Sequence, residues 1–275
     1  MGTNKRERQK QNRAKAREQR IRQQKVATVR RRGLIFGIGI PVLVVALFGV
    51  AQIGGSGSST SSDTSFDAVV TTAPGTTQPG ATLTGATTCP KADGTEKHVA
   101  QFKQAPPMCI DTTKTYTATF DTTEGVIDVT LDTKRTPKTT NNFVVLSRYK
   151  YYDGTPIFRT DPSIDIIQGG GPNNTSGPGY TIDDEGGKFT YTEGDLVMAR
   201  SSGANSGGAQ FFFSTGENTA LLDSQGTYVT FGHVSNDASL KVLKAIIALH
   251  KADDSGLGGA PSRPVTINSV IITES

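Results

Sequence analysis

Cysteine and histidine are scarce in this chain. Two cysteines, Cys89 and Cys109, and three histidines, His98, His233 and His250, are all that 275 residues supply. A structural zinc needs four such ligands. Two Cys with His98 fall short, and His233 and His250 show no ligand spacing, so no metal is expected. The chain has no Gly-x-Ser-x-Gly setting for a hydrolase serine. Its glycine-rich run, 169–179, lacks the Gly-Lys-Ser/Thr ending of a phosphate-binding loop. There is no tryptophan at all.

Acidic residues are almost missing from the first 32 positions. Glu7 and Glu18 face 13 of the 29 Lys and Arg there, giving about +11, while the rest of the chain sums to about −7. The overall +4 therefore hides two oppositely charged parts. The basic tail has good helix formers but no apolar stripe. Charge of either sign is then absent from 33–53, a 21-residue run long enough to cross ~30 Å of hydrocarbon as a helix. Arg30, Arg31 and Arg32 abut its start, and the positive-inside bias places the N-terminus in the cytoplasm. The tail then reads as a topology signal that meets anionic headgroups, in preference to a nucleic-acid binder; no nucleic-acid partner is expected. A cleaved signal peptide is the competing account, with Gly49-Val50-Ala51 as its cleavage site. The charged region and apolar core are both too long for that pattern, so a retained single-pass anchor is the expectation.

Residues 54–88 are Gly, Ser, Thr, Ala and Pro with almost no charge. Such a segment buries too little to fold and reads as a flexible linker of roughly 30–35 Å typical reach. Cys89 and Cys109 follow, on the expected outer side of the membrane. An even count in an oxidising compartment favours a disulfide, which defines a Cys-bounded extension, 89–113.

The domain from 114 to 275 opens with alternating β-rich runs at 115–120 and 126–131, read as a hairpin. Thr136-Pro137 starts a helix with Pro in the first turn, and Phe143 and Leu146 share a face with Val144 and Val145 beside it. Strands are expected at 195–200, 209–215, 228–234 and 265–273. A second helix runs from 237 to about 250, with Leu240, Leu243 and Ile247 at helical spacing. Acids 183–185 read as a solvated loop. Many short strands with two distant helices suggest a closed antiparallel barrel.

The chemistry gathers at 158–171, F-R-T-D-P-S-I-D-I-I-Q-G-G-G, read as a short strand. Arg159 and Gln168 supply donors at the rim of an apolar surface, and the glycines permit tight turning. I-I-Q-G-G, then M-A-R around Ala199, then A-Q-F-F-F-S-T, L-L-D and Y-V-T-F-G-H-V follow in order. In that order and spacing they resemble the cyclophilins, peptidyl-prolyl cis/trans isomerases, over about 114–273.

The resemblance implies a mainly β fold: a closed eight-stranded antiparallel barrel capped by two helices, here preceded by a transmembrane helix and a flexible linker. It implies a groove for proline-containing polypeptides, no cofactor, and isomerase activity in protein folding outside the cytoplasm. The alternative is a proline-peptide-binding module without useful turnover. Arg159 takes the place of the family's catalytic arginine, with Gln168 and Phe212 as its catalytic companions. Counting forward from Tyr151-Tyr152-Asp153-Gly154 gives Arg159, and counting back from Gln168 gives Thr160. One residue is inserted, and its expected place is after Arg159. Ile164 and Ile166 stand for the pocket walls, Gln210 for a second groove glutamine, and Ala199 with Arg200 for the pair that meets the peptide backbone. Leu222 lies where the family has a leucine beside the proline, and Tyr228 where many members have histidine. Leu221 replaces the tryptophan of drug-sensitive members, which implies weak cyclosporin binding.

Overall fold

The computed structural model describes residues 80–275, apart from Ser202. The expected basic tail, membrane helix and linker residues 54–79 lie outside the described residues. Along the described chain come β1 (Ala81–Leu83), β2 (Val99–Phe102), β3 (Tyr116–Thr122), β4 (Gly125–Leu131), α1 (Pro137–Arg148), β5 (Thr155–Pro156), β6 (Arg159–Asp161) and β7 (Ile166–Gly169). Then follow β8 (Asp195–Arg200), β9 (Gly207–Ser214), a 3-10 helix (Glu217–Leu222), β10 (Thr230–Val234), α2 (Asp237–Ala248), β11 (His250–Ala252), β12 (Gly259–Pro261) and β13 (Thr266–Glu274). Among the described residues no helix is long and apolar enough to cross a membrane.

Where a closed barrel of eight strands is expected, the described residues form a curled antiparallel sheet that counts eleven strands, ordered β11-β12-β6-β7-β9-β8-β10-β4-β3-β13-β5. One cause is a bend at Ile157 and Phe158. The Ile157 N–H donates to Val265 O at 2.9 Å, and the Phe158 N–H donates to Gln168 O at 3.1 Å. A single extended segment is thus divided into β5, paired with β13, and β6, paired with β7. The β11–β12 hairpin adds two further short strands beside β6. The stretch 158–171 is likewise two strands, with a turn at 162–165 where Asp165 takes φ +50°.

Alternation along the strands separates two faces. On the inner one Phe120, Phe211 and Phe231 meet Phe143 of α1, Phe213 meets Phe120 and Phe211, and Tyr152 meets Phe143 and Phe211, all fully buried. Phe143 stacks on Tyr152 at 5.0 Å, and Phe120 meets Phe213 edge-on at 5.3 Å. Such pairs contribute about 0.5–1.5 kcal/mol each beyond the area they bury.

Helix α1 is buried from Thr139 to Arg148, well beyond the one face expected. The sheet covers one side, and the extension is fastened at Asn141. Cys89 and Cys109 are joined. The N–H groups of Cys109 and Ile110 donate to Asn141 Oδ1 at 2.7 and 3.2 Å, and Asn141 Nδ2 donates to Pro107 O. The expected linker also ends earlier than 88. Strand β1 pairs in parallel with β2, and buried Thr87 donates to Gln104 O. Residues 80–88 therefore belong to the extension, fixed by main-chain pairing that composition does not reveal.

Acids 183–185 are not merely solvated. Asp184 pairs with Arg200 at 3.3 Å, and Glu185 accepts the Thr139 N–H in the first turn of α1. That satisfies one of the helix's free donors. In α2 the Asn236 side chain does the same for Ser239.

Candidate active site

The groove face is set by register. Arg159, Gln168, Phe212 and Val197 are successive Cα partners across β6, β7, β9 and β8. Partners directly opposite point to the same side of a sheet. Thr160, Ile167, Phe213 and Leu196 form the adjoining row, and all four are at most 1% exposed. Arg159 thus stands outside and Thr160 inside, where the Thr160 hydroxyl meets His250 Nδ1 at 2.8 Å.

Arg159 is held from three directions. Its Nε donates to Leu257 O at 2.6 Å, Nη1 to Gln168 Oε1 at 3.0 Å and Nη2 to Asp161 Oδ2 at 3.0 Å. A guanidinium has five N–H donors, so two remain for a ligand, and the side chain is 19% exposed. Gln168 Nε2 then donates to Gln210 Oε1 at 3.1 Å. Gln210 Nε2 in turn donates to the carbonyls of Ser176 at 2.9 Å and Asn173 at 3.2 Å. The result is one chain of hydrogen bonds from Asp161 to the loop 171–180. Just past β7, Gly170 packs tightly against the main chain of β9. Its φ is +91°, and a Cβ there would lie 2.6 Å from Ala209 O.

Phe212, 3% exposed, lies beside this chain. The Tyr228 ring meets it edge-on at 5.8 Å, and the Arg200 guanidinium lies 4.8 Å above the Tyr228 ring. Arg200 Nη1 also donates to Asp184 Oδ2 and Nη2 to the Thr227 hydroxyl. Ala199 is buried at the irregular end of β8. Ile166 is buried on β7, on the same side as Gln168, and Ile164 packs against the core from the preceding turn. Leu221 and Leu222 stand half-buried on the 3-10 helix, with Leu222 against the core.

Three supports escaped the sequence. Asp161 follows Arg159 at the strand spacing of two, a signal that was readable. Leu257 comes from 98 positions away, and only the fold brings it near. The third is Tyr180: its hydroxyl donates to Asn142 Oδ1 at 2.6 Å, and burial pushes its pKa up. Asn142 also donates to Gly208 O, two residues before Gln210.

The family model for cyclophilin type peptidyl-prolyl cis-trans isomerases matches residues 117–272. This chain belongs to that family. A peptidyl-prolyl cis-trans isomerase of Synechococcus elongatus is 38% identical over 131 residues, 47% of this chain and 87% of that protein. Peptidyl-prolyl cis-trans isomerase B of Streptomyces anulatus is 32% identical over 173 residues, 56% of this chain and 95% of that one. The spliceosome-associated protein CWC27 homolog of Danio rerio is 34% identical over 129 residues, 45% of this chain but 27% of that longer protein. A solved cyclophilin type isomerase of Cryptosporidium parvum is 26% identical, with a TM-score of 0.49 over 58% of this chain and 99% of the other. The cyclophilin domain here thus covers the last three fifths of the sequence, and the extension precedes it.

Proposed function

We propose that this groove catalyses cis–trans isomerisation of X–Pro bonds in polypeptides outside the cytoplasm. The barrier to rotation is amide resonance, about 18–20 kcal/mol. Lowering it takes no nucleophile and no proton relay. What is needed is a donor that favours the twisted amide over the planar one and an apolar floor for the proline ring. Arg159 is the donor and Phe212 the floor. The observation that carries this reading is the tethering of Arg159 by Asp161, Gln168 and Leu257 with two N–H groups left over. A cation so fixed needs little reorganisation when the amide twists. Gln168 and Gln210 orient it, and the main chain at Ala199 and Arg200 aligns the peptide. Ile164, Ile166, Leu221, Leu222 and Tyr228 complete the walls. We read 155–161 as one bent strand that closes an eight-stranded barrel behind this groove, supported by its bonds to both β13 and β7.

The anchor, supported by the uncharged run 33–53 after Arg30–Arg32, places the domain on the outer face of the cell membrane. The Cys89–Cys109 bond accords with that compartment. Protease added to intact cells then digests the domain and spares the N-terminal tail; a protected domain would reverse the topology. For activity, exchange NMR of an Ala-Pro peptide with the full chain is decisive. Catalysis raises the cis–trans exchange rate well above the uncatalysed one.

A second reading, a proline-peptide-binding module or chaperone without turnover, draws on the same tethering, since three of the five Arg159 donors are spent. Peptide binding without faster exchange would select it.

A further inference from the structure

The extension touches the groove through the loop 171–180. The β2 main chain reaches it first: the Phe102 N–H donates to Pro178 O at 2.8 Å. Gln101 Nε2 donates to the neighbouring Gly177 O at 3.0 Å. Gly179, at φ +103°, has no room for a side chain, because a Cβ would lie 2.3 Å from Phe102 O. The buried Phe102 ring meets Tyr180 edge-on at 6.2 Å and Tyr149 edge-on at 5.5 Å. On its other side the same loop presents Asn173 O and Ser176 O to Gln210. Gln210 leads through Gln168 to Arg159.

We propose that residues 80–113 are a brace for the groove: Gln101 and Phe102 fix the loop 171–180, whose carbonyls hold Gln210, and thereby set how Gln168 and Arg159 meet a peptide. The Cys89–Cys109 bond and the Asn141 clamp fasten the brace to α1. This inference rests on the isomerase reading for its kinetic consequence but not for its structural one. Gln101 and Phe102 are positioning residues, since they act on the groove through the loop and Gln210. A loosened loop leaves Gln210 free to rotate, which weakens peptide binding more than the twisting step at Arg159.

The test uses the full chain with Phe102→Ala, Phe102→Leu, Gln101→Ala, Gln210→Ala and the Phe102→Ala/Gln210→Ala pair. Phe102→Ala is expected to raise KM about threefold or more with kcat within about twofold, and Phe102→Leu to restore most of the loss. In a Gln210→Ala background Phe102→Ala should add nothing, because the two act through one contact chain. A folded Phe102→Ala with wild-type KM, or losses that multiply with Gln210→Ala, would overturn the brace. If Phe102→Ala does not fold, Gln101→Ala decides the matter by the same KM comparison. If the wild-type chain has no isomerase activity, the function reading fails and the brace is judged by amide hydrogen exchange at residue 102, whose N–H donates to Pro178 O. Faster exchange there in the variant supports it, and unchanged exchange refutes it.

Discussion

Arg159 and Gln168 are Cα partners on adjacent antiparallel strands, and their side chains meet at 3.0 Å on the outer face of the sheet. Thr160, one position on, is fully buried on the other face. A strand has a period of two, so only one of these neighbours can serve the groove.

Thr160→Ala is therefore expected to act on stability alone. It removes one buried hydroxyl bonded to His250 Nδ1, worth about 1 kcal/mol net. A thermal melt should show that loss while kcat/KM at a temperature well below the transition stays within about twofold. A large drop in kcat/KM in folded protein would mean that the register is misassigned.

Phe212→Ala should impair both properties. Phe212 is 3% exposed and packs edge-on against Tyr228. Truncating a buried phenylalanine costs about 3–5 kcal/mol, and the floor of the proline pocket goes with it. Urea denaturation should give the destabilisation, and the remaining folded fraction should bind proline peptides about tenfold more weakly or worse. Undiminished peptide affinity would remove Phe212 from the site.

Asp153 gives the fold a pH dependence unrelated to catalysis. Burial pushes its carboxyl up to about 6, against the opposing effects of the Val270 N–H, which donates to it at 3.3 Å, and of Lys150. The native state therefore binds more protons than the unfolded chain between about pH 4 and 6. The carboxyl's contribution to stability is full below the unfolded pKa and is lost as pH rises through about 6. Asp153→Asn keeps the acceptor and abolishes the titration. After allowance for partial solvent contact, the variant should be more stable at about pH 7.5 by about 1–2 kcal/mol. The gain should shrink toward about pH 4.5. Parallel stability curves for the two proteins would show that Asp153 does not titrate in this way.

Reducing the Cys89–Cys109 bond, which closes a loop of sequence separation 20, should lower stability by up to about 3 kcal/mol in the chain-entropy model. Melts with and without reductant measure this, and unreduced mass spectrometry should show one linked peptide pair. Two free thiols in protein taken from its native compartment would remove the staple.

The elements that local pattern decides were the legible ones. Strand β8 matches the expected 195–200, and Thr136-Pro137 marks the start of α1. The hairpin β3–β4 also follows from alternation, with a tighter turn than expected. What could not be read depends on docking. β1 and β2 are three and four residues long, without an apolar alternation to announce them. Their parallel pairing exists because Phe102 and Cys109 have places on the domain to settle against. In the groove, the motifs supplied Gln168, Gln210 and Phe212, whereas counting alone left Arg159 and Thr160 both open. The face alternation of β6 separates them. Leu257 O, a carbonyl on the connection between β11 and β12, carries no side-chain signal in any sequence.

The proposed isomerase rests on Arg159 stabilising the twisted amide. The most direct measurement is kcat/KM for an X–Pro peptide with the full chain and with Arg159→Ala, both shown to be folded by circular dichroism. A hydrogen bond from a charged donor is worth about 1.5–3 kcal/mol, and each 1.36 kcal/mol is about tenfold in rate. The expected drop is about ten- to a hundredfold or slightly more, carried mainly by kcat. A folded Arg159→Ala variant that isomerises the peptide at the wild-type rate would contradict it.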